Sequence, residues 1–353
     1  MENKKKSVTI KDIAQMAGVS PAAVSYVING KGGVGPVQRA RIQELLAQSG
    51  YRQDLRAKGL KTRRSFNIHA VLRREAAPAC KDFYFGVVAR IVDFASEGGY
   101  SVVPAYQSDD PCDDTLVDII AGGRTDGVIA FQGLMQNAAK ALANRNIPLL
   151  IVNPGFQEAE SRACVIIDFE DLTYRATAFL ASLGHRHIGF IGMEALPFFY
   201  DMTIRGFERA LRAYGLRARK EWVRGEAVCA DSAGDAMRKM LACNDIPTAV
   251  FCAQDNFAFS AISAARKMGY SVPGDISFIG LDDVPEAKYF CPPLTTIAIS
   301  PEALARRAVD MLFSMMGGNG AARIVLPCGP VIVRETAIKP GVANGFISVA
   351  DAR

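Results

Sequence analysis

The chain has 353 residues, with 41 basic and 36 acidic side chains and a formal net charge of +5. This length predicts two or three domains, and the hydrophobic fraction of 50% excludes a wholly disordered protein. The charge is unevenly spread, because residues 1–64 carry 13 Lys/Arg against 4 Asp/Glu, whereas the rest of the chain is mildly acidic. We therefore expect a small basic module that binds a polyanion, attached to a larger domain with a different function.

Several classes of protein are disfavoured at this level. No apolar run reaches the roughly 18 residues of a membrane span, and residues 1–6 do not lead into the apolar segment of a secretory signal. The eight cysteines form no C-x-x-C pair, which is typical of reduced thiols in a cytoplasmic protein. His185 and His187 have no acidic or cysteine ligand pattern around them, so we expect neither a metal nor a cofactor.

The start of the chain has the pattern of three short helices. Thr9 and Asp12 form a capping box, and Gly18 permits the turn that ends the first helix. Ser20 followed by Pro21 begins a second helix, and a third follows a glycine-rich loop. Two helices joined by a tight turn and closed by a third form a helix-turn-helix, whose second helix enters the major groove of DNA. A three-helix bundle without a ligand is the alternative, which the basic charge disfavours.

Residues 51–65, YRQDLRAKGLKTRRS, form a strongly basic linker. Asp54 is a candidate cap for a short helix, but isolated helices below about 12 residues are marginal in water. The segment is therefore either a solvated linker or a hinge that folds when it meets DNA.

From residue 66 onwards, apolar runs of strand length alternate with amphipathic helical stretches. This alternation predicts parallel sheets covered by helices, and its length fits two lobes with a ligand cleft between them. Strands are predicted at 67–72, 101–105, Gly127–Phe131, 148–152, 187–192, 249–253 and 276–280, with helices at 84–97, 172–183 and 203–214.

Three long segments resemble the LacI-type (lactose and purine repressor-like) transcription regulators. They are TIKDIAQMAGVSPAAVSYVING (9–30), LASLGHRHIGFIG (180–192) and IPTAVFCAQDNFAFSAISAARKMGYSVPGDISFIGLDDVPEAKYFCPPLTTI (246–297). The resemblance covers nearly the whole chain. It implies an all-α helix-turn-helix head, a hinge helix and an α/β core of two doubly wound lobes like that of periplasmic binding proteins. It also implies a cytoplasmic, nucleoid-associated homodimer that represses transcription from a near-palindromic operator.

The resemblance also sets the expected domain boundaries. The head is expected at 1–50, the hinge at 51–65, the core at 66–345 and a tail at 346–353. Within the core, one lobe is expected to combine about 66–163 with 297–326, and the other about 164–294 with 328–345. The last crossings between lobes are expected near 293–297 and 326–331.

The recognition positions of the head depart from the family pattern. Ala23 and Tyr26 stand where the family commonly has Thr and Arg, and an arginine binds guanine bidentately whereas a tyrosine does not. We therefore expect an operator that differs from the family consensus at the positions facing Tyr26. Leu60 matches the family residue that inserts between base pairs in the minor groove and kinks the DNA. The positions implied for DNA contact are Thr9, Lys11, Ser20, Pro21, Ala22, Ser25, Tyr26, Asn29, Arg39, Tyr51, Arg56, Ala57 and Leu60.

The effector positions implied by the family are unusually aromatic. Thr203 replaces the arginine that commonly binds an anionic group of the ligand, so a simple anionic sugar acid is disfavoured. A sugar-like or ring-containing metabolite, stacked on aromatic rings and held by polar groups at its edges, is expected instead. The positions implied for effector contact are Phe83, Tyr84, Phe131, Asn153, Phe199, Thr203, Cys229, Gln254, Asn256 and Asp282.

Three other functions remain open at this stage. A regulator with a degenerate cleft would sense a protein partner instead of a small molecule. A solute-binding transport protein is disfavoured by the basic head and the lack of a signal. An enzyme would need a catalytic constellation or a cofactor motif, and neither is visible in the sequence.

Overall fold

The computed structural model describes residues 8–51, 59, 62, 64–74, 78–108, 110, 113–155 and 163–341. The chain divides into two compact units, Met1–Arg64 and Ser65–Arg353. The predicted hinge contacts Arg56, Ala57 and Leu60 lie outside the described residues, as does the predicted tail.

The first unit contains the three predicted helices, α1 (Ile10–Ala17), α2 (Pro21–Ile28) and α3 (Pro36–Ser49). The capping box is present, because the Thr9 amide donates to Asp12 Oδ2 at 2.8 Å and the Asp12 amide donates to Thr9 Oγ1 at 3.3 Å. The helices are closed by a small core in which Ile13, Val24 and Ile42 are each 0% exposed.

The second unit contains a six-stranded parallel sheet. Its strands are β1 (Asn67–Arg73), β2 (Ser101–Gln107), β3 (Gly127–Phe131), β4 (Leu149–Val152), β5 (Cys164–Ile167) and β11 (Arg323–Leu326), and its helices are α4 (Pro78–Glu97), α5 (Thr115–Ala121), α6 (Gln136–Asn144) and α11 (Pro301–Met316). The strand order is β11-β5-β4-β3-β1-β2. Alternate residues of β3 point into separate cores, with Val128 in one and Ile129 in the other. Both faces are therefore covered, as a parallel sheet requires.

A second six-stranded sheet consists of β6 (Ile188–Ile191), β7 (Val223–Arg224), β8 (Ala249–Cys252), β9 (Ser277–Asp282), β10 (Thr296–Ala298) and β12 (Val331–Ile332). Its strand order is β12-β10-β9-β8-β6-β7, and the β10–β12 pair is antiparallel whereas the other pairs are parallel. The helices are α7 (Phe169–Ser182), α8 (Pro197–Ala213), α9 (Ala230–Leu241) and α10 (Asp255–Lys267), with short 3-10 turns at Lys220–Trp222 and Pro285–Lys288. The predicted α/β core with two lobes is thus confirmed.

The chain crosses between the sheets after β5, after β10 and between β11 and β12. Two expected lobe boundaries differ from this arrangement. Cys164–Ile167 belongs to the first sheet, where it pairs with β4 and β11, and β10 belongs to the second sheet. Short strands that are buried on both faces have no alternating pattern, so their sequence does not show which sheet they join. At the third crossing a β-carbon on Gly329 would collide with the Ala298 carbonyl, so the two crossing segments approach this closely only with glycine.

Candidate functional site

The outer face of α2 carries small and polar side chains. Pro21, Ala22, Tyr26 and Asn29 are exposed and Ser25 is half-buried. The Asn29 amide donates to the Ser25 carbonyl at 2.7 Å and to Ser25 Oγ at 3.3 Å, which fixes it at the end of the helix. Tyr26 is 45% exposed, and a β-carbon added at Gly33 would lie 3.6 Å from Cδ2 of its ring. The ring therefore lies beside the loop that follows α2.

The other predicted DNA contacts divide into exposed and structural groups. Thr9, Lys11 and Ser20 are exposed at the beginnings of the first two helices. Arg39 is half-buried and its guanidinium donates to the Lys31 carbonyl, so it also closes the loop between α2 and α3. Tyr51 is half-buried against the core of the head.

The second unit contains a cavity of about 180 Å³ at the carboxyl ends of strands from both sheets. Ligands of doubly wound sheets bind at this edge. Arg73 ends β1 and Asp282 ends β9, while Gln132 and Asn153 directly follow β3 and β4. The lining residues are Arg73, Phe83, Tyr84, Gln132, Asn153, Gly155, Phe169, Leu196, Pro197, Phe198, Phe199, Gln254 and Asp282.

Six predicted effector residues lie in this lining: Phe83, Tyr84, Asn153, Phe199, Gln254 and Asp282. The other four lie outside it. Phe131 is buried beneath the Tyr84 ring, with the ring centroids 4.8 Å apart. Thr203 is buried within α8 and its hydroxyl donates to the Phe199 carbonyl at 2.9 Å, which turns it away from the cavity.

Cys229 and Asn256 are held at helix beginnings. Cys229 is the N-cap of α9, where a hydrogen bond with Ser232 lowers the pKa of its thiol. Asn256 is half-buried in the first turn of α10. Sequence position alone does not distinguish residues that face a cleft from residues one helical turn away.

The backbone conformation of three lining residues also indicates a functional site, independently of the cavity volume. Gln132, Asn153 and Asp282 have φ angles of 64°, 51° and 125°. Such angles are uncommon for residues other than glycine, and they cluster at functional sites because surrounding structure must hold them in place. The three residues bring polar side chains to the cavity from β3, β4 and β9.

Aromatic rings form most of the apolar wall. The Phe83 and Tyr84 centroids are 5.4 Å apart, and Phe169 meets Phe199 edge-on at 4.8 Å. The Asn153 amide donates to the Tyr84 hydroxyl at 3.2 Å, and its Oδ1 accepts the Ile167 amide at 2.9 Å. Asn153 therefore positions Tyr84 and joins β4 to β5.

Two carboxyl groups near the end of β9, those of Asp282 and Asp255, have raised pKa values. Burial, reinforced by the nearby Asp255 carboxylate, raises the pKa of Asp282 well above its usual range. Burial also raises the pKa of Asp255 to about 7, although its carboxylate accepts hydrogen bonds from Thr296 Oγ1 at 2.5 Å and from the Val284 amide at 2.9 Å. A protonated Asp282 offers the cavity a hydrogen-bond donor.

Sequence reasoning missed Arg73 and Gln132. Both are polar residues at the end of an apolar strand, and this signal is visible in the sequence. Among the described residues, no group of His, Cys, Asp and Glu is arranged to hold a metal ion. Across the same residues, no helix combines the length and hydropathy needed to cross a membrane.

Residues 9–54 match the bacterial regulatory proteins of the lacI family, and residues 177–337 match the periplasmic binding protein-like domain. The chain is 30% identical over 336 residues to the HTH-type transcriptional repressor PurR of Mannheimia succiniciproducens, which covers 94% of this chain and 98% of that protein. The chain belongs to the lacI family. The PurR repressor of Pasteurella multocida is also 30% identical, over 334 residues, with the same shares of the two chains covered.

Solved structures of lacI-family regulators share the fold. The lac repressor dimer bound to operator and the anti-inducer ONPF has a TM-score of 0.76 and 26% identity, and the CelR–cellobiose complex has 0.70 and 27%. Each covers 94% of this chain and 100% of the other. The chain is therefore a DNA-binding transcriptional regulator with an effector-binding core, as the sequence predicted.

Proposed function

We propose that this lacI-family member represses transcription at an operator, and that a small molecule bound between the lobes sets its operator affinity. The observation that carries the proposal is the cavity of about 180 Å³, whose lining comes from strand ends of both sheets. A ligand that touches both lobes stabilises one relative arrangement of them. The effect on operator affinity cannot exceed the ligand's differential affinity for the two arrangements, and such couplings are typically about 1–3 kcal/mol.

The neighbouring structures support this proposal. CelR was solved with cellobiose, and the lac repressor with an operator and an anti-inducer. By analogy, Phe83, Tyr84, Phe199 and Gln254 contact the effector here and Asp282 binds one of its polar groups. Phe131 and Thr203 support those residues from behind, and Cys229 and Asn256 contact ligand only if the lobes move.

The assembly we propose is a homodimer. Phe85 and Val92 lie seven residues apart on one face of α4, and they are 44% and 42% exposed. Val103 and Tyr106, on the edge strand β2, are 38% and 37% exposed. Apolar residues exposed along an unpaired sheet edge favour association with another chain, and a second copy of this chain would cover them. We infer that two copies pair along this edge of the sheet, with α4 and Tyr106 on one face and Val103 on the other, and that the dimer associates with the nucleoid.

Operator selection tests both DNA reading and assembly. We expect the full chain to select two inverted half-sites without a preferred guanine at the position facing residue 26, because a tyrosine lacks the bidentate donors that bind guanine. We expect Tyr26→Arg to recover that guanine, at about 1–3 kcal/mol of discrimination. Tyr26→Phe is the control for the hydroxyl. A single half-site would contradict the dimer, and a guanine selected by the unmodified chain would contradict the role of Tyr26.

A further inference from the structure

Arg73 brings a positive charge to the cavity. It is half-buried at the end of β1, and extending the β1–β3 register places it opposite Gln132, which also lines the cavity. Its neighbour Arg74 is exposed outside the lining, with its guanidinium 6.0 Å from the centre of the Tyr106 ring. Arg73 lines the cavity and Arg74 does not, because successive side chains along a strand point to opposite faces of the sheet.

The remaining electrostatics of the cavity also favour an anion. The first turn of α8 lines the cavity at Pro197, Phe198 and Phe199, and Gln254 occupies the N-cap position of α10. Helix N-termini carry partial positive charge. Asp282 is the one carboxylate in the described lining, and its raised pKa reduces the repulsion of an anionic ligand.

The apolar wall favours a flat ring of limited size. Phe83, Tyr84, Phe169, Phe198 and Phe199 all line the cavity. An apolar cavity of about 150 Å³ binds benzene, so the volume of about 180 Å³ accommodates one ring with a substituent. Aromatic side chains bind such rings edge-to-face or in offset stacks.

We propose, on the basis of the effector function proposed above, that the effector is a one-ring aromatic or heteroaromatic carboxylate whose acid group is bound by Arg73. Guanidinium and carboxylate match in a bidentate arrangement. The ring lies among the phenylalanines, and the Gln254 and Asp282 side chains bind its ring substituents. This assignment replaces the expectation that the cleft lacks a cation for an acid group.

The test compares acids with their uncharged isosteres. Calorimetric titrations of the full chain use 4-hydroxybenzoate against 4-hydroxybenzamide, nicotinate against nicotinamide, and galacturonate against galactose. We expect an aromatic acid to bind about 10- to 100-fold more tightly than its amide, as a charge-assisted hydrogen-bonded pair provides. Arg73→Gln removes that preference because it weakens acid binding far more than amide binding, while Arg74→Gln retains the preference. The thermal unfolding of the unliganded variants verifies that they fold.

Several outcomes would overturn the assignment. These are equal affinity for acid and amide, equal loss of acid binding in Arg73→Gln and Arg74→Gln, and tight binding of galacturonate alone. Operator affinity, measured in parallel, separates the two proposals. A neutral ligand that changes operator affinity keeps the regulatory function and contradicts the role of Arg73. An aromatic acid that binds through Arg73 without changing operator affinity supports Arg73 and contradicts effector control.

Discussion

Ile42→Ala is expected to weaken operator binding at least about tenfold, while the core unit unfolds at the temperature of the unmodified chain. Ile42 is 0% exposed in α3, where it completes the small core formed with Ile13 and Val24. Truncating a buried isoleucine to alanine costs about 2–5 kcal/mol. A head of about 50 residues has only about 2.5–7.5 kcal/mol of stability at the usual value per residue. The loss is comparable to this whole stability, so operator binding must supply free energy to hold the head folded.

The matched control is Val37→Ala, on the same helix. Val37 is 83% exposed, so its truncation leaves the core of the head intact. Fluorescence anisotropy on a selected operator measures binding, and calorimetry follows the core unit. Because Met1–Arg64 and Ser65–Arg353 are separate compact units, ligand binding by Ile42→Ala is expected to be unchanged. Operator affinity within about twofold of the control would contradict the proposed role of this core.

Asp255→Asn is expected to stabilise the core unit at pH 8 and to have little effect near pH 4. The folded pKa of Asp255, about 7, lies above the value of about 3.9 in an unfolded chain. Between these values the folded state binds more protons than the unfolded state, so stability is fully present below about pH 4 and is lost as the pH rises to 7. The penalty at pH 8 is up to about 4 kcal/mol.

The asparagine reproduces the protonated carboxyl group. Its oxygen accepts the Val284 amide and its NH₂ donates to Thr296 Oγ1, so both partners of Asp255 remain bonded. Asp275→Asn is a control for which the expected change in stability has the opposite sign. Hydrogen bonds from Ser271 lower the pKa of Asp275, so its ionised form stabilises the fold and the asparagine is expected to be less stable at pH 8. Melting temperatures from pH 4 to 8 make the comparison. An Asp255→Asn curve parallel to that of the unmodified chain would show that Asp255 is ionised throughout this range.

Much of the fold could be predicted because local patterns determined it. Gly127–Phe131 is a strand with the predicted bounds, since five apolar residues end at a polar one. Cys164–Ile167 was not predicted as a strand of the first sheet, because its place depends on pairing with the distant segment Arg323–Leu326. Whether a segment forms a strand is thus determined by its local sequence, whereas the sheet that it joins is determined by the whole core.

The cleft was predicted less completely than the fold. The family pattern led to Tyr84 and Asp282, which line the cavity, and also to Thr203, whose hydroxyl is bonded to its own helix. It did not lead to Arg73, whose importance depends on which way the end of β1 faces. The role of a residue that departs from the family pattern therefore depends on how the two sheets are arranged around it.

The central claim is that a ligand in the cleft controls operator affinity. It is tested most directly by measuring whether ligand still changes operator affinity when a bulky side chain is introduced at the cleft. Gly155 lines the cavity, and a β-carbon there meets no described atom within 4 Å, so Gly155→Trp adds an indole at the cavity lining without a clash with a described atom at its β-carbon. Gly320→Trp is the control, at an exposed glycine with similar space outside the lining. Anisotropy titrations use the probe that changes the affinity of the unmodified chain. We predict a change of about 5- to 150-fold for the unmodified chain and for Gly320→Trp, and no change for Gly155→Trp. An equal response in all three proteins would contradict control of the operator through this cleft.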